Sequence, residues 1–183
     1  MTTVTITDAP MSVEELLAVA HGEQVRLSDG VRTNIAAARA IVEEAPAGGS
    51  AVYGLTTQVG HGKDTRLSQD EIAREQQFLV MSHSGGVGPP LPAPVVRAAL
   101  TVRLNGIARG GSGAEVAVAD ILAGTLNAGV TPVVPQTGSI GAGDLGRWRS
   151  WLRSRSAQAR PHTLARCWPA TRRCAGRESS RWC

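Results

Sequence analysis

PVVRAALTVRLNGI, residues 94–107, places Val96, Leu100, Leu104 and Ile107 at steps of four, four and three, which return to one face of a helix with 3.6 residues per turn. Pro94 suits the first turn, because the N–H it lacks is one that a helix start leaves unpaired anyway. The spacing therefore predicts a helix whose apolar stripe faces a core. The chemistry of the rest of the chain has to be read around that helix.

Outward from this segment, three Ser-x-x-Glu pairs each precede a periodic apolar run: Ser12/Glu15, Ser68/Glu71 and Ser112/Glu115. In a capping box the two side chains satisfy the first unpaired amides of a helix, so each pair predicts a helix start. A further helix is expected over residues 30–44, with Val31, Ile35, Ala38 and Val42 on one face. Short strands are expected around 25–27, 51–53 and 130–134. SGGVGPPLPAP, residues 84–94, cannot be helical throughout and is expected to be a loop or hinge. The predicted fold class is mainly α, with a few short strands.

The chain has 183 residues, which suits one domain with a real core, and its net charge is +4. That charge is unevenly placed. Residues 1–146 carry nine Lys and Arg against fourteen Asp and Glu, whereas residues 147–183 carry ten Arg against Glu178 alone. All four Trp and all three Cys also lie beyond 146, and twenty of the 21 Gly lie before 147. Two regions are therefore expected: a body over 1–146 and an atypical Arg-, Trp- and Cys-rich tail over 147–183. The first twenty residues have neither a basic start nor an unbroken apolar run, and no stretch approaches a membrane span, so a cytoplasmic protein is expected. Three tail cysteines make no disulfide framework.

The tail admits three readings. Arg and Trp together suit a nucleic-acid-binding arm, since Arg attracts phosphate and Trp stacks on bases. His162, Cys167 and Cys174 suggest a metal, but their spacing matches no strong zinc pattern and no metal is expected. In the third reading the tail is translated from a shifted frame. Regrouping its bases turns Trp and Cys codons into Leu, Met or Val and many Arg codons into Ala, Pro, Ser or Thr, and residues 147–155 become a small-residue apolar segment. This third reading is preferred, and nucleic acid is not expected as a partner.

Tyr53, the only tyrosine, stands in Tyr53-Gly54-Leu55-Thr56-Thr57 after a Gly-rich bend. A phenol titrates at about pH 10, so it serves as a general base only where its neighbours favour the ionised form. Its bland alternative is a half-buried strand tyrosine. FLVMSHSGGVG, residues 78–88, contains Ser82-His83, and an imidazole there can meet a polar substrate group or simply end a helix. VRLNG, 102–106, and RGGSG, 109–113, are explained by a helix end, a turn and a helix start, and no chemistry is assigned to them. GSIGAGDL, residues 138–145, is a Gly-rich turn unless its backbone is itself reactive.

Taken together, 51–60, 78–88, 102–113 and 135–145 resemble the aromatic amino acid ammonia-lyases, the family of histidine, phenylalanine and tyrosine ammonia-lyase. The resemblance covers nearly all of 12–146 and corresponds to the N-terminal part of a family chain. It implies a helical ammonia-lyase-like fold. It also implies non-oxidative elimination of ammonia from an aromatic amino acid to an unsaturated acid, by homotetramers with shared active sites. Tyr53 matches the catalytic base of the Tyr-Gly-x-x-Thr-Gly-x-Gly loop, although Gln58 stands where the pattern has Gly and Val59 where it often has Phe. His83, in the histidine-like Ser82-His83 pair, matches a substrate contact, which favours L-histidine and urocanate.

In the family an Ala-Ser-Gly triplet cyclises and dehydrates to a methylidene-imidazolone, the electron sink the elimination needs. Ala142 and Gly143 match the ends of that triplet, but they are adjacent and the Ser is absent. The chain as written is therefore not expected to form the electrophile or to turn over. The rival reading is a non-catalytic fragment or a basic-tailed nucleic-acid-binding protein.

Overall fold

The computed structural model describes residues 2–82, 86–138 and 167–169. Residues 94–107 lie in its central helix. In chain order the elements are β1 (Thr3–Ile6), α1 (Val13–Ala20), β2 (Gln24–Leu27), α2 (Asp29–Glu44), a 3-10 turn (Gly60–Gly62), α3 (Gln69–Ser82), β3 (Val87–Pro90), α4 (Ala93–Ala108), α5 (Val116–Asn127), β4 (Val130–Pro132), β5 (Pro135–Thr137) and β6 (Cys167–Pro169). Helices dominate, as the sequence predicts.

All four stripe residues of α4 are buried, and the helix packs against α1, α2 and α5. Val19 of α1, Val31 and Ile35 of α2, and Leu122 and Leu126 of α5 complete the cluster, with Val4, Ile6, Val25 and Leu27 from the first two strands. Each such side chain fully removed from water contributes about 1.5–3 kcal/mol. In α2 the predicted face holds: Val31 and Ile35 are buried, Ala38 and Val42 half-buried, while Ile41 points to solvent.

β1 and β2 pair in parallel, from Thr3 opposite Gln24 to Ile6 opposite Leu27, with α1 as the connection between them. Only alternate residues of each strand are buried, Val4 and Ile6 in one and Val25 and Leu27 in the other, because a strand's side chains alternate between its faces. β3 pairs antiparallel with β5, and β4 with β6.

Arg97 is the one buried cation of the core among the described residues. Its Nε donates to the Val19 carbonyl and its Nη1 to the Leu126 carbonyl, both at 3.0 Å, and Nη2 reaches the Glu23 carbonyl at 3.4 Å. Val19 and Leu126 lie in the last turns of α1 and α5, where helix carbonyls lack intrahelical donors. Burial holds the Arg97 pKa below its ordinary range.

The structure corrects four sequence expectations. Residues 51–53 form no strand: the Thr56 hydroxyl accepts the Val52 N–H at 2.8 Å and draws the chain into a turn. The loop expected over 84–94 contains β3, whose pairing with β5 was not foreseen. Ser12 and Glu15 form the full capping box, but Ser112 and Glu115 do not. Glu115 is itself the N-cap residue of α5, and Ser112 accepts the Ala114 N–H instead. At α3 the pair acts differently, with both the N–H and the hydroxyl of Ser68 donating to Glu71. Lastly, β1 was not anticipated at all.

Candidate active-site loop around Tyr53

The chain between α2 and α3 holds its shape with very little apolar burial. Thr56 and Thr57 are its buried side chains, and both act as polar bolts. The Thr56 hydroxyl donates to the Ser50 carbonyl at 3.0 Å while accepting the Val52 N–H, and the Thr57 hydroxyl donates to the Gln58 carbonyl at 2.9 Å. The Thr57 hydroxyl also accepts the Gly54 N–H at 3.4 Å. An isolated antiparallel bridge between Thr57 and Arg66 closes the base of the loop. Backbone bonds from Leu67 N–H to the Thr56 carbonyl, 2.9 Å, and from Gln58 N–H to the Thr65 carbonyl, 3.1 Å, flank it.

Tyr53 sits at the loop's outer turn, 65% exposed. The half-buried strand tyrosine considered from sequence is thus not what is found. Its phenol oxygen accepts the Gly60 N–H at 3.0 Å, which fixes the ring across the loop. Gly60 has φ +62°, a left-handed conformation that side chains resist, and there its amide turns back towards Tyr53.

Gln58, the departure from the family pattern, lies on the same loop. Its Nε2 donates to Glu75 Oε1 at 3.0 Å, tying the loop to α3. Sequence reasoning noticed Gln58 only as a mismatch and did not find Glu75, since nothing in local spacing reports a side-chain bond across 17 positions.

A cavity of about 110 Å³ lies beneath the loop, lined by Pro46, Ser50, Thr56, Arg66, Leu67 and Ile72 among others. Tyr53 does not line it. His83, Ala142 and Gly143 lie outside the described residues, and so do His162 and Cys174. Of the sequence-predicted catalytic and substrate-binding residues, Tyr53 alone has a described setting; Cys167, weighed from sequence for a metal, lies in β6 opposite Pro132.

Comparison with known proteins adds the wider frame. The model of the family described as aromatic amino acid lyase matches residues 11–148. Histidine ammonia-lyase of Deinococcus radiodurans is 41% identical over 142 residues, covering 76% of this chain and 27% of that protein. The Treponema denticola histidine ammonia-lyase is 40% identical over 144 residues, covering 78% of this chain and 28% of that protein. Among solved structures, the ergothioneine-degrading ergothionase of Treponema denticola superposes with a TM-score of 0.80 at 33% identity, over 84% of this chain and 31% of that one. The chain thus spans less than a third of the length of each of these relatives.

Proposed function

The chain belongs to the aromatic amino acid lyase family, and from that membership we propose that its lineage performs the non-oxidative elimination of ammonia from L-histidine to urocanate. The match over residues 11–148, which includes the entire Tyr53 loop, carries the reading. The preference for histidine over phenylalanine or tyrosine is supported by the two histidine ammonia-lyases at 40% identity or more and by the Ser82-His83 pair.

In this assignment Tyr53 is the base that takes the β-proton, and His83 contacts the substrate. The Cα–N bond breaks as the Cα–Cβ double bond forms, ammonia leaves, and nothing is oxidised. The Gly60 N–H orients the phenol oxygen that receives the proton. The working form is a cytoplasmic homotetramer acting on a small amino acid; among the described residues no helix is long and apolar enough to cross a membrane.

A methylidene-imidazolone supplies the electron sink in the family, and the residues present do not fit it. Ala142 is followed directly by Gly143 and then Asp144, so no hydroxyl stands where one must be lost as water. We derive no step through the group, and we assign Ala142 and Gly143 as remnants of its backbone. This chain is accordingly assigned no turnover as it stands.

Two regions follow: 1–146 as the N-terminal part of a lyase domain, and 147–183 as the product of a shifted reading frame. The end of the family match at residue 148 supports the boundary, beside the change in composition after 146.

The test has two arms. Resequencing the coding DNA from codon 135 should reveal a missing or extra base near codon 146 and an apolar lyase-like frame continuing beyond it. The corrected gene, with Ser inserted between codons 142 and 143, should release a product absorbing in the near ultraviolet from L-histidine. No turnover of histidine, phenylalanine or tyrosine by that restored enzyme would sink the lyase assignment.

A further inference from the structure

We propose that Gln58 and Glu75 form a latch that positions the Tyr53 loop on α3, making Gln58 a positioning residue in this chain. The inference rests on Tyr53 as the functional group of the loop, yet its evidence and its test are conformational.

Three observations meet at Gln58. Its side-chain amide donates to Glu75 Oε1 at 3.0 Å, a bond to a carboxylate and thus stronger than one between neutral groups. Its backbone N–H donates to the Thr65 carbonyl at 3.1 Å, so the backbone closes the base of the loop while the side chain ties it to α3. Beneath it, Gly62 makes room. A Cβ at Gly62 would collide with Gln58 Oε1 and lie 3.0 Å from the Gln58 Cβ. Gly62 does not have a positive φ, so its conformation does not demand glycine there; the Gln58 side chain does.

The latch reaches Tyr53 through a short path. Gln58 and Gly60 are separated by Val59 alone, and the Gly60 N–H is the donor that holds the phenol oxygen. Val59 in turn lies under the other end of the turn, where a Cβ on Gly54 would come within 3.2 Å of its Cγ1. Movement at 58 is therefore transmitted to both sides of Tyr53. With few buried apolar side chains in the loop, polar bonds set its geometry; most of them run within the loop, whereas the Gln58 side chain reaches out of it to α3. A glycine at 58 would supply no such tie. The departure from the family pattern is in this sense a fastening.

Tyr53 is the only tyrosine, so specific labelling of its ring gives a single NMR signal in the full chain. Gln58→Ala and Glu75→Ala should each shift or broaden that signal and speed amide exchange at Gly60 by roughly fivefold, the factor expected for losing one net hydrogen bond. Gly62→Ala should do the same by displacing Gln58 while leaving both bonding groups in place. The exchanged pair Gln58→Glu with Glu75→Gln, which rebuilds an amide-to-carboxylate bond in reverse, should restore both readouts. Amides of Leu104 and Ile107 in α4 should stay unchanged in every variant. An unaltered Tyr53 signal in the single variants, an equal change in α4, or no rescue by the exchanged pair would each overturn the latch. None of these readouts depends on turnover, so the latch can fail while the lyase assignment stands, and the reverse.

Discussion

Asn127 binds Val25 as a neighbouring strand would, although 102 positions separate them: its Oδ1 accepts the Val25 N–H at 2.8 Å and its Nδ2 donates to the Val25 carbonyl at 2.9 Å. Val25 opposes Val4 in the parallel pair, and the side chain at the end of α5 stands in for a third strand at that point. Asn127→Ala leaves both backbone groups without this partner and should cost about 2 kcal/mol, two hydrogen bonds at their usual net value. Urea unfolding of the two chains measures the difference. Asn127→Asp should remain destabilised above the carboxylate range, because Asp then sets a negative oxygen against the Val25 carbonyl.

Arg97 gathers carbonyls from the ends of α1 and α5 in one fork. Arg97→Met should lower stability by about 1–3 kcal/mol through loss of these hydrogen bonds, the Val19 and Leu126 carbonyls keeping the Gly22 and Gly129 N–H donors. Lys at 97 keeps the charge without the planar fork, and should fall closer to Met than to Arg. Thermal unfolding of the three chains ranks them; equal stability of Met and Arg would mean that the fork contributes nothing net.

Gly113 has φ +61°, and a Cβ there would collide with Val42 Cγ2. Gly113→Ala should therefore destabilise by about 1–3 kcal/mol, from backbone strain and overpacking together. Adding Val42→Ala removes the collision and leaves the strain, so the double variant should recover part of the loss. Full additivity of the two changes would contradict the contact.

Glu71 receives the Ser68 backbone N–H and the Ser68 hydroxyl, with Arg74 nearby, and these hold its pKa below the ordinary carboxylate value. A depressed folded value means that the contribution is fully present above the unfolded pKa, about 4.3, and is lost as pH falls through the lower folded value. Ser68→Ala removes the hydroxyl and leaves the larger backbone contribution. An NMR titration of the Glu71 carboxyl should accordingly find its midpoint moved part of the way back, with the backbone bond retained.

The helices were legible wherever burial repeats with the helical period, and α4 is the plainest case because all four of its stripe residues enter the core. Local chemistry was less faithful. Ser112 and Glu115 have the spacing of Ser12 and Glu15, but Glu115 is drawn towards Arg39, 3.5 Å away, and the helix begins after it. Ala51-Val52-Tyr53 has strand-forming residues, yet a hydroxyl four positions from Val52 takes the amide that a ladder would need. In the candidate site, the Tyr53 segment stands out in the sequence because its residues are contiguous, and its catalytic role is the proposal made above. The Gln58–Glu75 bond was not, because it joins groups that only the folded loop brings together.

The core cluster of described residues runs from Val4 to Val134, and it contains none of Tyr53, Gln58 and Glu75. Stability therefore polices these positions only weakly, and selection for folding would let drift erode the loop long before it touched α4. A change in the loop should accordingly be felt by the Tyr53 ring and the Gly60 amide while the melting temperature of the whole fold hardly moves.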